Sequence, residues 1–176
     1  MSMHTSPTIV LAIDPGYDRC GWAVVEVTGQ DVKPLEFDCF MTNRKQEKYD
    51  RFRALWSHLD DLFTRFTIKE VAMETLFFSR NVSTALPVSE VRGLIAGMAI
   101  EHQAELYEYA PGQIKVAVTG SGRADKTQML QMVQRLLRLE NIPKIDDTGD
   151  ALAVAITHAV LKKTHQHDST SLRHRL

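Results

Sequence analysis

Apolar runs separated by turn signals mark three short strands near the start of the chain. Residues 8–14 (TIVLAID) form an apolar run that ends in an acid, and a Pro-Gly turn signal follows at once. Residues 20–27 and 35–42 are rich in β-branched and aromatic side chains, and turn residues lie between them. The pattern predicts a meander of three antiparallel strands in which Asp14 ends the first strand.

Helical and strand patterns alternate along the rest of the chain. Apolar side chains recur at helical spacing in residues 47–66, and residues 82–103 read as a helix rich in Ala and Gly. Because helices separate the later strands, we expect those strands to be parallel, which predicts an α/β sheet with helices packed on it. The other predicted elements are strands at 70–75 and 105–110, a short helix from Pro111, a loop at 119–126, a helix from about Asp125 to Leu139, and a last helix at 149–163.

Length and composition indicate one ordinary domain. The chain has 176 residues, of which 44% are hydrophobic, and this is enough for a single core. We expect one domain over residues 1–176, with an ordered core at about 8–163 and a flexible polar tail at 164–176. No apolar run is long enough to span a membrane, and the N-terminus has no secretion signal. The two cysteines lack CxxC spacing, so we expect a reduced, cytoplasmic protein without a disulfide framework.

The charge balance hides a local pattern. A formal net charge of −1 argues weakly against a nucleic-acid partner, since general DNA-binding proteins tend to be basic. A protein that holds metal with carboxylates and binds phosphate with a separate basic surface can still come out near neutral. The middle of the chain supplies candidates for such a surface, namely Arg80, Arg92, Lys115, Arg123, Lys126, Arg135 and Arg138.

Acids stand in apolar surroundings at three separate places. Asp14 and Glu74 each end an apolar strand, and Asp150 precedes a strongly apolar helix. Asp147 lies three residues before Asp150, so the two side chains share a face if that turn is helical. Because open α/β sheets place ligands in the crevice beyond their strand ends, these acids are expected to meet there.

Several carboxylates in one crevice repel one another unless a proton or a divalent cation neutralises them. Oxygen ligands alone suit Mg²⁺ or Mn²⁺ rather than zinc. Two such ions, roughly 3.5–4 Å apart, can activate a water and stabilise the leaving oxygen in phosphodiester cleavage. The acids therefore favour a metal-dependent nuclease.

Each acid also has an ordinary interpretation when taken alone. Asp14 before Pro-Gly could be a turn former, Asp147 or Asp150 a helix N-cap, and Glu74 the exposed end of a strand. Asp146 competes with Asp147 as the fourth ligand, and the spacing to Asp150 favours Asp147. The recurrence of the same placement in separate elements favours the metal site over these alternatives.

Other residues suggest nucleic-acid contacts. Phe77 and Phe78 follow a strand end, and we expect Phe77 to point outward, where it could stack on an unpaired base. The glycines around Arg123 make a loop with amides suited to phosphate. Lys126 lies at a helix start, an unfavourable place for a cation, which favours a functional role. His158 is expected to be a packed histidine rather than a ligand.

Four stretches of the chain, in order, resemble the RuvC family of Holliday-junction resolvases. The family's opening strand and hairpin are similar to IVLAIDPGYDRCGWAVVE, and its second acidic strand and helix to METLFFSRNVSTAL and VRGLIAG. Its later DNA-binding stretch resembles YEYAPGQIKVAVTGSGRADKTQM, and its closing acidic helix resembles DDTGDALAVAITHA. The likeness runs from about residue 8 to residue 163.

The resemblance implies a ribonuclease-H-like fold, a mixed five-stranded sheet with helices on both faces. It implies a homodimer that nicks two opposing strands of a four-way junction symmetrically in DNA recombination and repair, with a branch-migration complex of the RuvA and RuvB type as partner. It implies Mg²⁺, replaceable by Mn²⁺, with two ions per site. The implied metal ligands and catalytic residues are Asp14, Glu74, Asp147 and Asp150, and the implied DNA contacts are Phe77, Arg80, Lys115, Arg123 and Lys126.

Some points stay open at this stage. Residues 38–53 depart from the family pattern, which leaves the edge of the sheet undecided. The small residues of the helix at 82–103 fit either a dimer surface or close packing of that helix on its own sheet.

An RNase-H-like nuclease acting on RNA–DNA hybrid would use the same carboxylates. An actin-like kinase would need a longer chain, and a DNA-binding protein without catalysis would leave the four acids unexplained.

Overall fold

A five-stranded mixed sheet forms the centre of the structure, a computed structural model that describes residues 6–75, 82–141 and 143–172, with only the backbone described at 82–84 and 163–172. The strand order is β3-β2-β1-β4-β5. β1 and β3 run antiparallel to β2, and β4 is parallel to both β1 and β5, as predicted. The strands are β1 (Thr8–Asp14), β2 (Arg19–Thr28), β3 (Asp31–Met41), β4 (Glu70–Glu74) and β5 (Glu105–Tyr109).

Helices cover both faces of the sheet, because successive side chains of the strands point to opposite faces. On β1, Val10 and Ala12 pack into one core cluster with three helices, and Leu11 and Ile13 pack into a second cluster with the other two. The first group of helices is α3 (Pro111–Thr119), α4 (Lys126–Leu137) and α5 (Asp146–Leu172), and the second is α1 (Lys48–Arg65) and α2 (Val82–Glu101). The predicted α/β fold with helices on both faces is confirmed.

The bounds of two elements differ from the prediction. β3 begins at Asp31, before Pro34, since a bulge lets the edge strand accommodate the proline: Val25 pairs with Pro34 and Val24 with Glu36. α5 begins at Asp146 rather than at residue 149, and its backbone continues to Leu172, beyond the predicted end at 163. The flexible tail at 164–176 stays a prediction. No helix in the described ranges is long and apolar enough to cross a membrane.

The acids of the candidate site lie at one edge of the sheet, where β1 and β4 end. Ile13 of β1 pairs with Met73 of the parallel β4, so Asp14 and Glu74 leave the sheet side by side. Asp14 pairs with Gly21 and Arg19 pairs with Met41, so β2 begins and β3 ends at this edge as well. We call it the Asp14 edge.

A buried polar network ties α5 to β4 and β5. His158 is fully buried, with Nδ1 2.8 Å from the Tyr109 hydroxyl and Nε2 2.7 Å from a Glu70 carboxylate oxygen. Lys162 also donates to Glu70. Burial alone would raise the pKa of Glu70, but the hydrogen bonds from His158 and Lys162 lower it. His158 is thus a packed core residue, as predicted, and the network fixes how α5 lies across the sheet.

Candidate active site

Two clefts at the Asp14 edge share the carboxylate of Glu74. The first, of about 240 Å³, is lined by Asp14, Pro15, Glu74, Thr75, Val88, Arg92 and Pro111. The second, of about 270 Å³, is lined by Glu74, Pro111, Ile114, Lys115, Lys126, Met129 and Asp150. Acids from β1, β4 and α5 therefore meet in one continuous groove, although they are far apart in the chain.

The first turn of α5 carries the remaining acids. Asp147 and Asp150 lie three residues apart in a helical turn, so their side chains share a face. The helix comes very close to β2 here: a Cβ atom added at Gly21 would lie 1.9 Å from the carbonyl oxygen of Asp147. Only glycine allows this approach, which sets the height of α5 above the sheet. Sequence reasoning missed Gly21, although a glycine inside an apolar strand signals close backbone contact.

The carboxyl groups perturb one another. Burial, followed by the nearby charges of Asp150, Glu74 and Asp147, raises the pKa of Asp14 to about 7, while the charge of Lys126 opposes them. Burial and the charge of Asp150 raise the pKa of Glu74, and burial also raises the pKa of Asp150. Such mutual effects require the four groups to lie within electrostatic reach of one another. A crevice of this kind favours protons or cations.

Basic side chains partly neutralise the acids. Lys126 donates to Asp150, and Arg19 Nε lies 3.2 Å from Asp147 Oδ2. Arg92 donates to the backbone carbonyl of Glu74 and to the carboxylate of Glu108, which ties α2 to the ends of β4 and β5. The sequence marked Lys126 and Arg92 as basic candidates but not Arg19, whose partner is distant in the chain.

The donor set fits a hard divalent cation, but the side chains are not arranged around one. No group of three or more His, Cys, Asp or Glu side chains within the described ranges stands in an arrangement that would hold an ion. The Oδ2 atom of Asp147 is nevertheless buried with no hydrogen-bond partner, despite the charge of Arg19 beside it. A buried carboxylate oxygen without a donor is a ready ligand for Mg²⁺ or Mn²⁺. Rotation of the Lys126 side chain away from Asp150 would free a carboxylate oxygen of Asp150 as a second possible ligand.

Geometry distinguishes Asp147 from its neighbour. Asp146 is exposed at the start of α5, whereas Asp147 is partly buried and raises the pKa of Asp14. Neither residue lines the two clefts. Between the two, this burial and the effect on Asp14 favour Asp147 as the residue that acts together with Asp14.

The candidate phosphate contacts divide into two groups. Lys115 on α3 and Lys126 on α4 line the second cleft together with the acids. Arg123 lies apart from them and lines a hollow of about 400 Å³ with Thr119, Ser121, Ala124, Gln128 and Met132. Phe77 and Arg80 lie outside the described residues.

A capping box places Lys126 at the groove. The Asp125 carboxylate accepts from the backbone N–H of Gln128 at 2.9 Å, and the Gln128 side chain accepts from the backbone N–H of Asp125 at 3.0 Å. α4 therefore begins at Lys126, in agreement with the predicted start near Asp125. Lys126 reaches Asp150 from this first helical position.

The raised pKa of Asp14 gives a stability prediction. In the folded protein the pKa of Asp14 is about 7, against 3.8 for an aspartate in water, so the folded state binds more protons than the unfolded state between these two pH values. Stability is then lost as the pH rises from about 4 to about 7, by about 4 kcal/mol at most. Without metal at pH 8, Asp14→Asn should therefore raise the free energy of unfolding, by about 2–4 kcal/mol.

Guanidinium unfolding with a chelator present, at pH 8 and at pH 4, measures this difference. At pH 4 the wild-type carboxyl group is already protonated in the folded state, so the two proteins should differ little. Equal stabilities at pH 8 would show that Asp14 is not held in a repulsive, desolvated cluster.

Comparison with known proteins agrees with this architecture. The family model for crossover junction endodeoxyribonuclease RuvC matches residues 10–158. A protein of that name from Alkaliphilus metalliredigens is 42% identical over 151 residues, which are 86% of this chain and 92% of the relative. The structure of Thermus thermophilus RuvC has a TM-score of 0.81 at 30% identity and covers 90% of this chain and 97% of its own.

The same T. thermophilus protein has been solved in complex with a Holliday junction substrate. That structure matches with a TM-score of 0.84 at 31% identity, over 90% of this chain and 96% of that one. The predicted ribonuclease-H-like fold is confirmed by these likenesses. The family consists of metal-dependent nucleases that act on Holliday junctions. From the matched residues and the shared fold, the chain belongs to the RuvC family of crossover junction endodeoxyribonucleases.

Proposed function

We propose that this protein resolves four-way DNA junctions by nicking two opposing strands symmetrically, at a site built from Asp14, Glu74, Asp147 and Asp150. One observation carries the proposal: carboxylates from three separate elements share one groove, where burial and mutual repulsion raise the pKa of Asp14 to about 7. A protein keeps such an unfavourable cluster when a cation or a substrate resolves the repulsion.

The ions that suit this groove are Mg²⁺, or Mn²⁺ in its place, with two per site. All four candidate ligands are carboxylates, and the buried Asp147 oxygen that accepts no hydrogen bond supports a ligand role for that residue. When bound, the ions would supply the positive charge that activates water and stabilises the leaving oxygen in phosphodiester cleavage. The four carboxylates would hold the ions in place, and the residues that line the groove keep it partly closed to bulk water.

The lysines of the groove have two roles in this proposal. Without substrate, Lys126 neutralises Asp150. With DNA present, Lys115 and Lys126 would meet the backbone phosphates beside the scissile bond, since both line the cleft that holds Glu74 and Asp150. Arg123, exposed in the loop before α4, would contact a phosphate farther along the strand.

The residues that follow β4 in the chain would recognise the branch point. We assign Phe77 the role of stacking on an unpaired base near the crossover and Arg80 that of a phosphate contact, both from the family likeness of METLFFSRN. Stacking of this kind contributes about 1–3 kcal/mol and tolerates any base. It would favour a junction, whose bases can unstack at the centre, over a continuous duplex.

A homodimer is required if the two cuts are related by a twofold axis. The outer face of α2 supports it: a Cβ atom added at Gly93 or Gly97 would meet nothing within 4 Å. Close packing of α2 on its own sheet does not explain these two glycines. Leu86 and Ile100 on the same helix are 65% and 77% exposed, so a second copy could cover them.

Two further expectations concern the cell. A branch-migration complex of the RuvA and RuvB type would present the junction to this nuclease. Cys20 and Cys39 are buried and free, in keeping with the reducing conditions of the cytoplasm.

Cleavage of a synthetic four-way junction tests the proposed function. The pure protein is incubated with the junction in Mg²⁺, in Mn²⁺ and in chelator, beside linear duplex and RNA–DNA hybrid of matching sequence. We expect paired nicks at symmetric positions of opposing junction strands, only with metal, and little cutting of either control. Faster cutting of the hybrid would contradict the assignment and favour a ribonuclease of the same fold.

A further inference from the structure

The turn after β3 brings basic side chains to the Asp14 edge, outside the clefts that hold the carboxylates. Because Arg19 pairs with Met41, the residues after Met41 leave the sheet at the same edge as Asp14. β3 lies two strands from β1 in the order β3-β2-β1. At about 4.8 Å per strand, the turn is about 10 Å from Asp14. It belongs to residues 38–53, the segment whose role the sequence left open.

Hydrogen bonds fix this turn to the loop that follows Asp14. The backbone N–H of Thr42 donates to the carbonyl oxygen of Asp18 at 3.0 Å. The Thr42 hydroxyl donates to the backbone carbonyl oxygen of Tyr17 at 2.8 Å. Asn43 shapes the turn itself, since its side-chain oxygen accepts from the backbone N–H of Lys45 at 3.0 Å. The turn and the Asp14 loop therefore form one unit.

A buried arginine braces that unit from α1. Arg51 is 6% exposed, and its Nη2 atom donates to the carbonyl oxygen of Tyr17 at 3.1 Å and to Asp18 at 2.5 Å. Its Nε donates to the Thr42 hydroxyl at 3.0 Å, and its guanidinium carbon lies 3.7 Å from the centre of the Tyr17 ring. A buried arginine with several hydrogen bonds holds its partners rigidly, so the backbone of the turn has a fixed position relative to the Asp14 loop.

The charge of this surface is positive in a chain that is slightly acidic overall. Residues 42–53 hold five basic side chains and two acidic ones, against a net charge of −1 for the chain. Arg44 pairs with Asp18 at 2.7 Å, yet its side chain remains 75% exposed, and that of Arg19 is 55% exposed. Asp18 is already hydrogen-bonded to Arg51. One carboxylate thus faces two arginines, and Lys45 beside them is exposed.

We infer that Arg44 and Lys45, together with Arg19, form a phosphate-binding surface for the junction strand that runs out of the carboxylate groove past β2 and β3. The inference rests on the proposed function. A DNA strand carries one negative charge per 3.4 Å of helix axis, so the distance of about 10 Å corresponds to about three phosphates. The ion pair between Arg44 and Asp18 orients Arg44 without neutralising the surface, because Arg51 shares the same carboxylate.

Junction affinity of the double variant Arg44→Ala/Lys45→Ala tests the surface. Binding of a fluorescent four-way junction is measured by anisotropy in chelator, where no strand is cut, over a series of salt concentrations. Loss of two phosphate contacts should weaken binding on the order of tenfold or more near 0.1 M salt, and reduce the slope of log affinity against log salt by about 2. Lys45→Glu alone should weaken binding at least as much as Lys45→Ala.

Arg65→Ala is the matched control. Like Arg44, Arg65 is an arginine paired with carboxylates, Glu36 and Asp61. It lies at the far end of α1, a helix of 18 residues that begins just after the turn, and is therefore about 27 Å away. Its loss should leave affinity and salt slope unchanged, and all variants should unfold at the wild-type temperature within a few degrees.

The outcomes separate this inference from the proposed function. If the wild type binds and cuts the junction and the double variant has the same affinity and salt slope, the surface is not a DNA contact. An equal loss in Arg65→Ala would show a general charge effect and would also overturn the inference. If the wild type neither binds nor cuts the junction, the proposed function itself fails.

Discussion

Asp14→Asn is expected to abolish junction cleavage while junction binding persists. The substitution keeps the size of the side chain but removes a carboxylate from the groove. Asp14 is the residue whose pKa the other three acids raise together, so it stands at the centre of the cluster. Loss of several kcal/mol of transition-state stabilisation corresponds to a fall in rate on the order of 10²–10⁴-fold.

Binding should behave differently from cleavage in this variant. One fewer negative charge beside the phosphates leaves the affinity for the junction equal or slightly tighter. Anisotropy in chelator measures binding, and gel analysis of single-turnover reactions measures cleavage. Asp31→Asn, at the opposite end of β3 and exposed, is the control that should cut normally. Cleavage within threefold of wild type in Asp14→Asn would remove Asp14 from the catalytic residues.

Gly21→Ala should damage the site through the backbone rather than through a lost functional group. The added methyl carbon would lie 1.9 Å from the carbonyl oxygen and 2.4 Å from the carbonyl carbon of Asp147, so either β2 or the start of α5 must move. Forced overpacking typically costs about 1–3 kcal/mol. A displacement of about 1 Å at a catalytic group can cost on the order of 10²-fold in rate. We therefore expect both a lower unfolding midpoint and a large loss of cleavage.

Gly112→Ala provides the matched comparison. A Cβ atom at Gly112 meets nothing within 4 Å, and the residue lies in the first turn of α3, where alanine favours the helix by up to about 1 kcal/mol. This variant should be as stable as the wild type or slightly more so, with normal cleavage. If Gly21→Ala cut junctions as well as Gly112→Ala, the close approach of α5 to β2 would have no part in placing Asp147 and Asp150.

The sequence predicted the strand ends and their acids because those signals are local. An apolar run that stops at Asp14 before Pro-Gly needs no knowledge of its neighbours, and the same holds for the run that stops at Glu74. The antiparallel and parallel pairings followed from which connections contain helices. These local patterns were sufficient to place Asp14 and Glu74 at one edge.

The start of α5 was misjudged because two local preferences conflict there. The helix was predicted to begin at residue 149, whereas Gly149, which disfavours helix by about 1 kcal/mol, lies inside the helix. Asp146 and Asp147 stabilise a helix that begins at Asp146, because their negative charges lie in the first turn, at the positive end of the helix dipole. Gly149 also leaves room for the Leu130 side chain, since a Cβ atom there would lie 2.1 Å from a methyl carbon of Leu130 and that side chain would have to move.

Contacts between distant residues were beyond any local pattern. The pairing of Lys126 with Asp150, the approach of Arg19 to Asp147 and the brace formed by Arg51 all join segments whose meeting depends on the whole topology. The irregular character of residues 38–53 was visible in the sequence, but the role of Arg51 was not. The predicted outward position of Phe77 stays a prediction.

The central claim is that acids from β1, β4 and α5 jointly hold divalent cations. Its most direct test is anomalous diffraction from crystals of the wild-type protein soaked in Mn²⁺ at a concentration that supports junction cleavage. We predict an anomalous peak within ligand distance, about 2.1 Å, of carboxylate oxygens of Asp14 and of at least one of Glu74 and Asp150. Bound Mn²⁺ found only elsewhere, in crystals whose protein cuts junctions in the same buffer, would contradict the claim.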